Sequence, residues 1–95
     1  MKVEWSEAAL ADLNRFAHFL EDQFPAMAKV VARELIDSTK TLAENPRLGR
    51  SLDRRPELRQ LIVRVLNASY IIQYRLMNDR LVILRVYHGR ELRAR

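Results

Sequence analysis

The residues best placed to do chemistry are arginines. Between residues 58 and 88 three short apolar runs are separated by two turns, and the polar positions in and around them are mostly arginine: Arg59, Arg64, Arg75, Arg80, Arg85 and Arg90. A guanidinium presents a planar fork that suits bidentate contact with carboxylate or phosphate better than an ammonium does. The pattern therefore asks for an anionic partner, and a nucleic acid and an acidic polypeptide fit it equally at this point. Tyr87 and His88 close the third run, and the chain ends in a basic tail, residues 89–95, that adds Arg93 and Arg95.

Composition removes other chemistries. The 95-residue chain has no cysteine, which excludes thiolate metal sites and cysteine nucleophiles. Its two histidines, His18 and His88, are far apart in sequence, so no metal site and no cofactor is expected. His18 reads as a surface or helix-packing residue. With no signal peptide and no apolar run of about 18 residues, the expectation is a cytoplasmic protein without a membrane contact. Charge is unevenly spread: residues 1–46 hold five Lys+Arg against eight Asp+Glu, net −3, and residues 47–95 hold twelve Arg against four Asp+Glu, net +8.

The elements that must position these arginines follow from periodicity. Leu61–Val65, Tyr70–Tyr74 and Leu81–Tyr87 are rich in β-branched and aromatic residues, and Asn67-Ala68-Ser69 and Asn78-Asp79 punctuate them, which predicts an antiparallel meander. Alternation sets Leu61, Val63 and Val65 against Gln60, Ile62 and Arg64, and Tyr70, Ile72, Tyr74 and Leu76 against Ile71, Gln73 and Arg75. The third run is apolar on both sides, which suggests a central strand of open register. Upstream, Met1 to Trp5 alternates as a brief strand and Ser6 is a fitting N-cap. Ala9, Leu13, Phe16, Leu20 and Phe24 then mark a helix whose Asp12, Arg15, Glu21 and Asp22 are left mainly for solvent.

A second helix over residues 26–44 follows Pro25, with Ala28, Val31, Leu35, Ser38 or Thr39, and Leu42 on its stripe. Asn45-Pro46 stops it. Residues 46–56 read as an ordered surface loop, in which Arg54-Arg55 is a solvated pair. The aromatics Trp5, Phe16, Phe24, Tyr70 and Tyr74 lie on apolar stripes, so they are expected in the core rather than as stacking platforms. The whole predicts one α+β domain over residues 1–95: a short N-terminal strand, then an antiparallel two-helix hairpin packed on a mainly antiparallel four-stranded sheet, in the order β-α-α-β-β-β.

In that order the pieces VEWSEAALADLNRFAHFL, ENPRLGRSL, LRQLIVR, SYIIQYRL and LVILRVYHGRE resemble the ParE/RelE superfamily of toxins from bacterial type II toxin-antitoxin modules. The resemblance spans nearly the whole chain and implies two alternative activities. RelE-like members cut mRNA on the ribosome, which needs a group to activate the 2′-hydroxyl, cations for the phosphate and an acid for the leaving oxygen. The candidates for those roles are Arg64, Arg85, Tyr87, His88 and Arg90, with packing as the other reading of Tyr87 and His88. RelE-like enzymes carry an arginine directly after a tyrosine in the middle meander strand and lysines on the strand before it. Here Ile71 follows Tyr70, and Gln60 and Ile62 replace the lysines, so the cutting apparatus is incomplete.

The ParE-like branch, which is similar in fold and poisons DNA gyrase, is therefore the reading that the resemblance favours, with a RelE-like nuclease acting on mRNA at the ribosome and an inactive relative that only binds its antitoxin as the alternatives. Either activity implies a cognate antitoxin, a small DNA-binding dimer with an acidic C-terminal segment that folds on the toxin. Arg64, Arg75 and Arg85 are the expected antitoxin contacts, and Arg90, Arg93 and Arg95 the candidate contacts to the target.

Overall fold

The computed structural model describes residues 1–90. The chain runs β1 (Lys2–Trp5), α1 (Glu7–Gln23), α2 (Pro25–Glu44), β2 (Arg50–Leu52), β3 (Arg55–Val65), β4 (Ala68–Leu76) and β5 (Arg80–His88). One sheet holds all the strands in the order β1-β5-β4-β3-β2. β2, β3, β4 and β5 are antiparallel neighbours, and β1 adds to β5 in parallel. The order strand, helical hairpin, meander is the one expected from the sequence.

The sheet has one strand more than expected, because residues 46–56 are not all loop. Asp53 and Arg54 both take positive φ, 48° and 59°. Two consecutive left-handed residues make the tight turn whose twist suits a hairpin, and it folds Arg50–Leu52 back on β3. β3 accordingly begins at Arg55, six residues before the apolar run that announces it. Pro56 is tolerated because the β2–β3 ladder shifts register just there, so its missing N–H breaks no rung.

The helices start and stop for local reasons. Ser6 caps α1 with its hydroxyl accepting from the Ala9 N–H at 3.0 Å, as its type and place suggest. The same hydroxyl donates to the Leu84 carbonyl at 2.9 Å, and the Ser6 N–H donates to Ile83 O, so the cap also ties α1 to β5. Phe24 leaves helical geometry at φ −143°, and Pro25 opens α2 at a position where its missing N–H costs nothing. Phe24 is therefore 54% exposed and does not extend the apolar stripe, which ends at Leu20. On α2 the stripe is Ala28, Val31, Leu35, Thr39 and Leu42, so Thr39 rather than Ser38 faces inward.

The core lies between the hairpin and one face of the sheet. Leu35, Leu42, Ile72, Tyr74, Leu81, Ile83 and Val86 have no more than trace exposure. α1 lies over β5, and α2 over β3 and β1. β5 has a neighbour on each side, as its apolar character suggested, and its open register is settled by a bulge. Gln73 pairs with Arg85 but Tyr74 with Ile83, so Leu84 is the extra residue and both Ile83 and Val86 reach the core.

Candidate functional site

Each predicted arginine owes its surroundings to strand alternation and to where the sheet edges lie. On β3, Leu58, Gln60, Ile62 and Arg64 point away from the helices, opposite the inward Val63 and Val65. Their cross-strand partners on β4 are Arg75, Gln73, Ile71 and Ser69 in turn. Arg64 and Arg75 are exposed on this outer face and have no acidic partner among the described residues. Arg59 instead turns back to the 46–49 loop, donating to Gly49 O at 2.7 Å and to Pro56 O at 2.9 Å. Arg80 pairs with Glu4 and Asp79.

Arg85 is held in a buried-end ion pair. β1 stops at Trp5, opposite Ile83, so the outer edge of β5 beyond that point meets α1 rather than a strand. Asp12 fills the gap. Its carboxylate accepts from the Val86 N–H at 2.8 Å, from Arg85 Nε at 2.8 Å and Nη2 at 3.0 Å, and from Arg15 Nη1 at 2.8 Å. The side chain of Asp12 is 2% exposed, whereas those of Arg85 and Arg15 are 38% and 46% exposed. Burial by itself pushes the carboxyl pKa up, but the hydrogen bonds from Arg85, the Val86 N–H and Arg15 outweigh it and hold the pKa below the usual carboxylate range.

The sequence reading left Asp12 to solvent, and it is the residue most clearly misplaced there. The signal was present in its spacing. Asp12 sits three residues after Ala9 and four before Phe16, inside the buried stripe, and a carboxylate at such a place needs cations. The guanidinium of Arg85 also stacks 4.9 Å from the centre of the Tyr87 ring.

Tyr87 and His88 diverge. Tyr87 pairs with Ile71 on the outer side of the sheet, and His88 pairs with Tyr70 on the core side, where the two rings meet edge to face at 5.2 Å. Adjacent strand residues point to opposite faces, so the two side chains do not converge. Arg90 is exposed, and its backbone N–H donates to His88 Nδ1 at 3.1 Å. Arg93 and Arg95 lie outside the described residues. Ile71 is buried between Ile62 and Tyr87 in the outer-face row.

A second cluster that the residue types did not announce ties the 46–49 loop to β4. Tyr74 is fully buried, and its hydroxyl donates to Pro46 O at 2.8 Å and accepts from the Gly49 N–H at 2.9 Å. Gly49 sits so close that a Cβ there would lie 2.7 Å from both Gln60 O and the Tyr74 hydroxyl. Burial raises the pKa of Tyr74, with the Gly49 hydrogen bond and the Arg59 charge opposing. Below this latch, an open groove of about 820 Å³ is lined by residues including Met1, Glu44, Leu48, Glu57 and Met77. None of the expected site residues lines it. No helix of the described residues is long and apolar enough to cross a membrane.

Comparison with known proteins places this geometry. The family model for the ParE toxin of the type II toxin-antitoxin system parDE matches residues 3–93. The chain is 31% identical over 88 residues to Toxin RelE1 of Caulobacter vibrioides, covering 93% of this chain and 92% of that protein. It is 30% identical over 91 residues to Toxin RelE3 of the same bacterium, covering 96% and 97%. Among solved structures, a chain of a chromosomal ParDE system from P. aeruginosa superposes with a TM-score of 0.74 at 21% identity, covering 93% of this chain and 95% of that one. A chain of the RelBE2 toxin-antitoxin complex from Mycobacterium tuberculosis gives 0.63 at 23% identity, covering 92% and 95%.

Proposed function

This chain belongs to the ParE/RelE superfamily of toxins from type II toxin-antitoxin modules, and from that premise we propose that it is a ParE-like toxin that inhibits DNA gyrase in the cytoplasm and is neutralised by a cognate antitoxin. The observation that carries the gyrase reading is the divergence of Tyr87 and His88 across β5. A ribonuclease of this fold must bring an acid, a base and phosphate-binding cations to one point on the sheet. Here the histidine is on the core side, Arg85 is bidentate to Asp12, and buried Ile71 stands where RelE-like enzymes carry an arginine.

Arg64, Arg75 and the half-exposed Arg85 are the proposed contacts to the antitoxin's acidic segment. Arg90, Arg93 and Arg95 are the proposed contacts to the target. A RelE-like nuclease is the second reading, favoured by the names of the two Caulobacter relatives.

Purified toxin assayed for gyrase supercoiling and trapped cleavage complexes, beside ribosome-dependent mRNA cleavage, decides between them. Lost supercoiling with intact mRNA is the expected result. Cut mRNA with unaffected gyrase would replace the first reading by the second, and silence in both assays would refute both.

A further inference from the structure

The two edge strands of the sheet are not alike. β2 is three residues long, shifts register at Ser51/Leu52 and runs into the left-handed Asp53 and Arg54. A short, bulged edge of that kind offers a second chain no straight ladder. β1 pairs with β5 over Lys2–Trp5 without a shift. Along a strand of a parallel pair, one residue directs both its main-chain groups to the neighbour and the next directs both away. The Ser6 N–H donates to Ile83 O, which puts the groups of Glu4 and Lys2 on the β5 side as well. The N–H and C=O groups of Val3 and Trp5 therefore point outward, and they have no partner among the described residues.

The side chains of this edge complement themselves. Val3 and Trp5 pack on the core side, whereas Lys2 and Glu4 stand on the outer face beside Arg80. A lone lysine on an edge discourages a second strand. Here the order along the strand is cation, apolar residue, anion. When two copies of β1 meet antiparallel about Val3, Lys2 of each faces Glu4 of the other, and Trp5 faces Met1. The outward-pointing residues then take the hydrogen-bonded positions, and Lys2 and Glu4 take the others, where side chains come closest at Cα separations of about 4.5 Å. In the single chain the side chains of Lys2 and Glu4 are 72% and 41% exposed, and Glu4 meets Lys2 and Arg80 at 3.4 Å each. Met1 is also exposed.

We propose that β1 is a self-association edge, through which two copies of this chain join their five-stranded sheets into one. The Val3 N–H donates to the second copy's Val3 O and the Trp5 N–H to the second copy's Met1 O, each reciprocated about a two-fold axis perpendicular to the sheet. That axis puts both helical layers on one side and both basic outer faces on the other. An edge of four residues buries far less than the roughly 1,600 Å² of a standard interface. Association is therefore expected at about 10–100 µM rather than at nanomolar concentrations.

Sedimentation velocity of the full chain from about 1 to 500 µM brackets that range. Lys2→Glu sets glutamates at both outer positions and Glu4→Lys sets lysines at both, and each alone should weaken the dimer about tenfold or more. Mixed in equal amounts, the two variants should recover association as a heterodimer, because glutamate then meets lysine at both positions. Val3→Pro removes an N–H that β5 does not use, so it should leave a folded monomer that no longer associates. Circular dichroism checks that each variant keeps its sheet, and recovery in the mixture is one that misfolded chains would not give.

A native chain that stays monomeric across the range would overturn the proposal. So would a dimer that the single substitutions leave intact, or folded variants whose mixture stays monomeric. Association through β1 is independent of the target, so a negative gyrase assay leaves it standing, and a monomeric chain leaves the gyrase reading standing.

Discussion

Asp12 is the single residue on which most of the sheet-to-helix polar contact depends. Its carboxylate accepts four hydrogen bonds from three residues on two elements at the point where β1 no longer covers β5. Asp12→Ala should cost about 2–4 kcal/mol, because the Val86 N–H loses its partner while the half-exposed arginines recover part of the loss in water. Chemical denaturation of the two proteins measures the difference. The sign with pH follows from the carboxyl pKa, which is lower folded than unfolded. The stabilisation is complete above the unfolded value of about 3.9 and fades as the pH falls through the folded one. The stability gap between the native chain and Asp12→Asn should therefore narrow in acid and stay constant near neutrality; a gap that widened in acid would contradict the ion-pair assignment. Tyr74 is the second such residue. Tyr74→Phe strands the Gly49 N–H and Pro46 O and should lose about 1–3 kcal/mol with the fold intact.

At the scale of elements, the latch between the 46–49 loop and β4 explains why a run with prolines and arginines becomes ordered and lends the sheet an extra strand. Gly49→Ala would push a Cβ against the backbone oxygen of Gln60, which cannot swing aside as a side-chain end can. A loss of about 1–3 kcal/mol is expected, read as a lower melting temperature with the secondary structure retained by circular dichroism. The β3–β4 turn gives the opposite sign. Leu66→Gly removes a left-handed leucine whose side chain is mostly in water. It should raise stability by up to about 1 kcal/mol, read as a higher midpoint of chemical denaturation. The extra strand was not legible because its cause is a turn of two non-glycine residues, Asp53 and Arg54, which no residue type announces.

For the whole molecule, the uneven charge has a spatial meaning. The basic C-terminal half supplies the outer face of the sheet, and the acidic N-terminal half supplies most of the helical cover. Partner binding through the outer face should weaken as salt rises, by more for the native chain than for Arg64→Ala/Arg75→Ala; titrations at low and high ionic strength check this. Much of the architecture could be read from residues alone. The meander, the Ser6 cap, the proline stops and the alternation of Val63 and Tyr70 against Arg64 and Ile71 are local consequences of steric and solvation preferences, which act over a few neighbours. The order of the pieces was enough to point to the toxin superfamily. Which arginines remain open to a partner was a different matter. Arg59, Arg80 and Arg85 are tied to Gly49, Glu4 and Asp12, whereas Arg50, Arg64 and Arg75 are not, although their residue type does not separate them. That division depends on where β1 ends, how the Leu84 bulge turns β5 and which loop Tyr74 captures, and these are contacts between residues far apart in the chain. Local periodicity determined the faces; the tertiary structure decided which charges on them were already spent.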